Sequence, residues 1–213
     1  MPKDKVHVLV CFAVPQEARP FRRIRWPAAP PRVLVTGIGP ARAGKAIARA
    51  LAAVEPGLVI SAGFAGGLNP ALSIGTVLFD ADEASGLGPK LLAAGARPGR
   101  FHCSGSVAVT AAQKEALWRS TGADAVEMES GPLRRLCQEQ GIASATVRVI
   151  SDTAGESLPL DFNLLLAGGP ALRYARIALA LVKAPGSIVE LVRFRRRLGA
   201  AAATLAKVLA EAI

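Results

Sequence analysis

The stretch Val6-His7-Val8-Leu9-Val10-Cys11-Phe12 is a continuous β-branched and apolar run of strand length. A strand with one wet face alternates apolar and polar side chains; a run without alternation is expected to be covered on both faces, as in an α/β sheet flanked by helices. Later segments continue that theme. Strands are expected at Arg32–Thr36, Gly57–Ser61, Ser73–Phe79, Gly105–Thr110 and Ala145–Ile150. Between them lie an Ala-rich helix over 41–53, with Ile47 and Leu51 four apart, and a helix over 111–119 that Thr110 is placed to cap. A further helix starts at Gly131-Pro132, with Leu133, Leu136 and Cys137 as its apolar stripe. Ser85–Gly99 reads as a loop or short helix.

A chain of 213 residues, 51% hydrophobic, is long enough for one well-buried core, so a single domain is expected over 1–213, with 163–213 as its helical C-terminal part. No apolar run reaches the ~18 residues of a membrane span. Met1-Pro2-Lys3-Asp4-Lys5 leads into a strand rather than a signal-peptide core, and a cytoplasmic location is expected. Cys11, Cys103 and Cys137 are far apart without metal-ligand spacing, His7 and His102 stand alone, and no metal site is expected. Cys11 and Cys137 read as core residues, and Trp26 as core or interface surface.

The formal charge is +10. Arg19, Arg22, Arg23 and Arg25 cluster early; Arg173, Arg176, Lys183, Arg193, Arg195, Arg196 and Arg197 cluster late, opposed only by Glu190 between Asn163 and Leu198. Such a balance draws anionic partners, but there is no interleaved aromatic platform and no nucleic-acid motif, so a nucleic-acid partner is not expected. A solvated basic face is the plainer reading.

Chemistry is expected where strands end, because side chains at their carboxyl ends face the ligand crevice of an α/β sheet. Glu17 follows the first strand, just after Pro15; as a structural residue it would be a first-turn helix carboxylate. Thr36-Gly37-Ile38-Gly39 forms a strand–helix turn, neither a P-loop nor a full dinucleotide fingerprint. Ala62-Gly63-Phe64-Ala65-Gly66-Gly67-Leu68 follows the third strand as a turn whose small residues let a planar ligand come close. Asp80-Ala81-Asp82-Glu83 is expected to be solvated or ion-paired. Asp124 to Asp152 then forms one helix–strand unit with charged ends, on which Glu129, Arg148 and Asp152 can converge. Of Glu127 and Glu129, one at most is expected to face inward, and Glu127 is the one turned away.

These motifs, from Glu17 through Val126-Glu127-Met128-Glu129 to Arg148-Val149-Ile150-Ser151-Asp152, resemble in order those of the nucleoside phosphorylase family (purine/uridine phosphorylase type). They are most similar to its methylthioadenosine/S-adenosylhomocysteine nucleosidase branch, over roughly Val6 to Asp161. The resemblance implies a central mixed, twisted sheet flanked by helices, with a helical C-terminal extension. It implies that Glu17 activates water, that Met128 and Glu129 hold the ribose, and that Asp152, beside Ser151, assists departure of the purine at N7. Gly63, Phe64, Ala65 and Gly66 would line the base and ribose site, and Arg148 would stand in the strand leading to Asp152.

The implied activity is hydrolysis of the N-ribosidic bond of an adenine-type nucleoside, without metal or organic cofactor. Asp152 would have to carry a proton near neutrality, which burial beside carboxylates favours and a nearby Arg148 opposes. A phosphorylase with inorganic phosphate as co-substrate is the rival: Ser61-Ala62-Gly63 lacks the arginine that phosphorolytic relatives commonly carry there, which favours water, while Arg42 or an early arginine could supply a phosphate contact. Futalosine-type hydrolases and hopanoid-associated members, the latter implying a lipid-linked nucleoside, are further variants, and a nucleoside-binding module without turnover is the non-enzymatic one. Ser104–Val109 offers small side chains where relatives often carry a purine-stacking aromatic. The partner is thus a small nucleoside, with a homo-oligomer, a dimer first, expected. Beyond Asn163 the chain leaves the family pattern: it runs from Ala171 to Lys183, breaks at Pro185-Gly186, and resumes as a basic amphipathic segment over 185–198 before an Ala-rich terminal helix. That segment reads as a lid or packing helix, a dimer contact or a peripheral membrane surface.

Overall fold

The computed structural model of the chain describes residues 4–163 and 187–213. The expected Ala171–Lys183 segment and the Pro185-Gly186 break lie outside the described residues.

The first strand, β1 (Asp4–Phe12), is followed by α1 (Pro15–Arg22), β2 (Arg32–Val35) and α2 (Pro40–Ala53). The long strand β3 (Val54–Gly67) leads to β4 (Val77–Ala81), α3 (Leu87–Ala93), β5 (Arg97–Pro98) and β6 (Phe101–Cys103). Then come α4 (Ala111–Thr121), β7 (Ala125–Glu127), α5 (Ser130–Glu139), β8 (Ala143–Asp152) and α6 (Ser187–Ala212). The sheet order is β2-β1-β3-β8-β4-β5, with β7 joined to β3 and β6 to β7. It is mixed: β1, β2, β3 and β8 run parallel, whereas β4 is antiparallel to β8, and β7 to β3.

The unbroken apolar run of β1 has the cause inferred from it. Val8, Val10 and Phe12 pack with Phe21, Leu91, Leu205 and Leu209, on the face covered by α1, α3 and α6. Leu9 and Cys11 pack on the other face with Ile47, Leu51, Leu133 and Cys137 of α2 and α5. Cys11 and Cys137 are therefore core residues, and burial pushes both thiols above their ordinary pKa. Trp26 packs against the first of these clusters, its ring 5.3 Å from that of Phe21. In the terminal helix, Ala201, Leu205, Leu209 and Ala212 enter the central core, so the C-terminal part of α6 packs against the sheet. None of the described helices is long and apolar enough to cross a membrane.

Three expectations change. The small residues after Ser61 do not form a turn: β3 continues to Gly67, paired with β8 and at its end with β7, with an irregularity at Ala65/Gly66. Ala and Gly suit this place because the strand is crowded from both sides; a Cβ on Gly67 would stand 3.2 Å from the Asp152 carbonyl. Next, β4 begins at Val77 rather than Ser73 and takes in Asp80. Arg134 pairs with Asp80, and Asp82 accepts from the Ser144 N–H at 2.8 Å and hydroxyl at 2.9 Å, so these acids are structural partners. Finally, Gly105–Thr110 is not a strand. Its backbone is bonded by side chains instead: Asn163 accepts from the Val107 N–H at 2.8 Å, and Gln113 from that of Val109 at 2.8 Å. Gln113 belongs to the capping box that starts α4 at Thr110.

Leu205, fully buried between α6 and the sheet, measures how far the terminal helix belongs to the core. Leu205→Ala should lower unfolding free energy by about 2–5 kcal/mol, read by urea denaturation; a loss under about 1 kcal/mol would show that α6 is an appendage.

Candidate active site

One cavity of about 210 Å³ opens at the carboxyl ends of β1, β3 and β8. Glu17, Phe64, Met128, Glu129, Ser151 and Asp152 line it, together with Ala65 and Gly66. Leu158, Phe162, Phe194 and Leu198 form an apolar wall, in which the rings of Phe162 and Phe194 sit 6.0 Å apart. Gly63 and Arg148 lie behind this surface, paired in register across β3 and β8.

Arg148 is 1% exposed. Its Nη2 donates to Glu127 at 2.5 Å, Ser61 at 2.9 Å and Glu129 at 3.4 Å. The expectation that Glu127 turns away is overturned: both glutamates reach the same guanidinium, because β7 ends at Glu127 and the chain turns at once into α5, with Glu129 as its N-cap, so strand alternation does not separate them. Glu127 also accepts from the N–H groups of Glu129 (2.9 Å) and Ser130 (2.8 Å) and from the Ser130 hydroxyl (2.6 Å), at the start of α5. It is therefore the structural anchor of the group. Glu129 accepts from the Gly39 N–H at 3.0 Å, so the first residues of α2 and α5 meet at this carboxylate. Gly39 takes φ +95°, a conformation that favours glycine, in directing its N–H there.

Glu17 is 4% exposed, and one of its oxygens accepts from the Ala13 and Val14 N–H groups at 2.9 and 3.0 Å. The other accepts from the Phe64 N–H at 2.9 Å, bringing β3 to the first turn of α1. Burial pushes the Glu17 carboxyl up to about 7, against the lowering effects of the Phe64 N–H, Arg148 and the Val14 N–H. Glu129 is raised for the same reason, burial outweighing Arg148 and the Gly39 N–H. In Glu127 burial acts upward too, but Arg148, the Ser130 hydroxyl and the two backbone donors prevail, and its pKa is lowered. The three carboxyls thus differ in proton affinity although all surround one cation.

Asp152 stands apart from that cluster. Its carboxyl accepts from the Ser151 hydroxyl at 2.5 Å and is ion-paired with the fully buried Lys114 of α4. The cation expected beside Asp152 was Arg148; Lys114 holds that place, and Arg148 serves the glutamates. Nothing in the local pattern singles out Lys114, one lysine in a weakly amphipathic helix. Phe194 and Leu198, apolar residues of the basic segment read as a lid or packing helix, line the cavity through the return of α6. Arg197, expected on the exposed basic face, is half-buried and bonds Glu156 at 2.7 Å; Arg193, Arg195 and Arg196 remain exposed. Among the described residues no cluster of three or more His, Cys, Asp or Glu is arranged to hold a metal ion.

The arrangement can hold a small polar molecule between a carboxylate that takes protons near neutrality and a second carboxyl fixed by an ammonium. It depends on close approach at Gly63, where an added Cβ would meet Arg148 Nη1 at 2.6 Å and Glu17 Oε1 at 2.7 Å. Gly63→Ala should therefore cost about 1–3 kcal/mol of stability, measured by chemical denaturation. Gly155→Ala, where the Cβ would meet nothing within 4 Å, is the control; equal effects would refute the contact.

Solved structures share this fold. Futalosine hydrolase of Helicobacter pylori strain 26695 aligns with TM-score 0.68 at 19% identity, covering 98% of this chain and 96% of its own. Campylobacter jejuni 5′-methylthioadenosine/S-adenosyl homocysteine nucleosidase aligns with TM-score 0.69 at 16% identity, covering 96% and 97%. The Neisseria meningitidis 5′-methylthioadenosine/S-adenosylhomocysteine nucleosidase, in complex with methylthio-immucillin-A, aligns with TM-score 0.66 at 21% identity, covering 96% and 97%. The sequence itself matches the Phosphorylase superfamily over residues 9–84 and 82–183, most of its length, and the chain belongs to that family.

Proposed function

We propose that this protein is a nucleosidase that hydrolyses the N-ribosidic bond of an adenine-type nucleoside, with a substrate like 5′-methylthioadenosine or S-adenosylhomocysteine. The observation that carries the reading is the division of the cavity: Glu17 and Glu129 on the Arg148 side, Asp152 with Lys114 on the other. Cleavage of such a bond builds positive charge on the sugar and negative charge on the departing base, as in glycoside hydrolysis. The Glu17 and Glu129 carboxylates suit the sugar side. Glu129 accepts hydrogen bonds from ribose hydroxyls, and Glu17 takes the proton of a water attacking C1′. The electron pair of the C1′–N9 bond passes to the purine, whose N7 takes a proton through the Asp152 carboxyl, and the proton that Glu17 takes from water balances it.

Water is favoured over phosphate because the one arginine at the glutamates is already engaged by Glu127, Glu129 and Ser61, and lies behind the cavity wall. The wall of Leu158, Phe162, Phe194 and Leu198 supports an apolar 5′ substituent, such as methylthio, over a charged one. With small side chains at Ser106, Val107 and Ala108, aromatic contact in this cavity comes from Phe64, Phe162 and Phe194.

Release of the purine base from 5′-methylthioadenosine, S-adenosylhomocysteine, adenosine and futalosine, each with and without phosphate, tests the reading. Phosphate-independent release, greatest for the methylthio compound, is expected. Strict phosphate dependence would make the protein a phosphorylase, and no release from the panel, futalosine included, would refute turnover. The pH profile provides a second check. Glu17 must be ionised to accept the water proton, and its carboxyl is raised from 4.5 to about 7. Activity should therefore fall as pH drops through about 7; an acid limb near 4.5, the ordinary carboxyl value, would remove Glu17 from that role.

A further inference from the structure

Lys114 lies outside the motifs that carry the family resemblance, yet its side chain is fully buried, which a lysine tolerates only when its charge and donors are satisfied. Its ammonium faces the Asp152 carboxylate and donates to the carbonyls of Thr153 at 2.8 Å and Glu156 at 2.7 Å. Three donors thus meet three acceptors. One is a carboxyl that lines the cavity; the other two belong to the loop immediately after β8. That loop is fixed in turn: Glu156 accepts from the Thr153 N–H at 3.0 Å and from Arg197 of α6 at 2.7 Å. With the Ser151 hydroxyl on one Asp152 oxygen and Lys114 on the other, the carboxyl cannot rotate without breaking a charge-assisted bond.

A buried ion pair adds little net stability over apolar side chains of the same size. Stability alone is thus a weak account of an ammonium placed against a cavity-lining carboxylate. We propose that Lys114 is a positioning residue for the leaving-base step: it fixes the Asp152 carboxyl at the cavity surface, so that Asp152 meets the purine edge as the C1′–N9 bond breaks. This rests on the nucleosidase reading above. It follows that Lys114 matters only for leaving groups that need help to depart.

The test compares 5′-methylthioadenosine, whose base needs assistance, with 4-nitrophenyl β-D-ribofuranoside, whose nitrophenolate leaves unassisted. Lys114→Met should lower kcat on the nucleoside about 100-fold with KM within about threefold, and change nitrophenolate release by less than about threefold. In an Asp152→Asn background, adding Lys114→Met should cost no more than about threefold further, because both act through one carboxyl. Equal loss on both substrates, or multiplicative losses in the double variant, would show a merely structural lysine and overturn the proposal. If Lys114→Met does not fold, Lys114→Gln, whose amide still serves one of the backbone carbonyls, carries the same comparison with the same outcomes. A wild-type protein that cleaves neither compound would instead refute the nucleosidase reading, and this inference with it.

Discussion

The site is organised by the burial of one positive charge. A guanidinium taken from water into a sheet must be paired and hydrogen-bonded, and removing its partner leaves a charge that the interior cannot solvate. Arg148 meets this demand at Nη2, with Glu127, Glu129 and Ser61, and Glu17 adds its field, while the Arg148 Nε has no hydrogen-bond partner among the described residues. One cation cannot satisfy three carboxylates equally. Glu127, with the shortest contact and the donors at the start of α5, takes most of the benefit. Glu17 and Glu129 are left with raised proton affinity at the cavity surface.

Backbone register makes this possible. Gly63 of β3 pairs with Arg148 of β8, and Gly66 with Asp152, so each charged side chain lies opposite a residue without a Cβ. The same strand presents the Phe64 N–H to Glu17. β3 thus serves as both a central strand and a wall of the site, which explains small residues where a strand ordinarily carries branched ones. The second charged group, Asp152 with Lys114, is tied through the Glu156 loop to α6, whose Phe194 and Leu198 complete the cavity. The helix that covers one face of the core therefore also limits what the outer cavity admits.

The parts of the fold legible in the sequence were those with local causes. The unbroken run at Val6–Phe12 demanded cover on both faces, Thr110 capped its helix, and Glu17, Glu129 and Asp152 stood at strand ends that meet in the crevice. What was not legible depended on partners distant in sequence. Lys114 resembles any helical lysine until β8 arrives beside it, and Gly105–Thr110 resembles a strand until Asn163 and Gln113 take its N–H groups. Glu127 is a different case: strand alternation says nothing about its relation to Glu129, because the strand ends at Glu127 and its carboxylate bonds the N–H groups of Glu129 and Ser130 as α5 begins.

The central claim is the orientation of one small molecule, with sugar toward Glu129 and Glu17 and base toward Asp152. The most direct measurement is a crystal structure of the protein with methylthio-immucillin-A. The account predicts the ligand's ring hydroxyls bonded to Glu129, its base edge at Asp152, and its methylthio group against Phe162, Phe194 and Leu198. A ligand bound in the reverse sense, or outside this cavity, would contradict it.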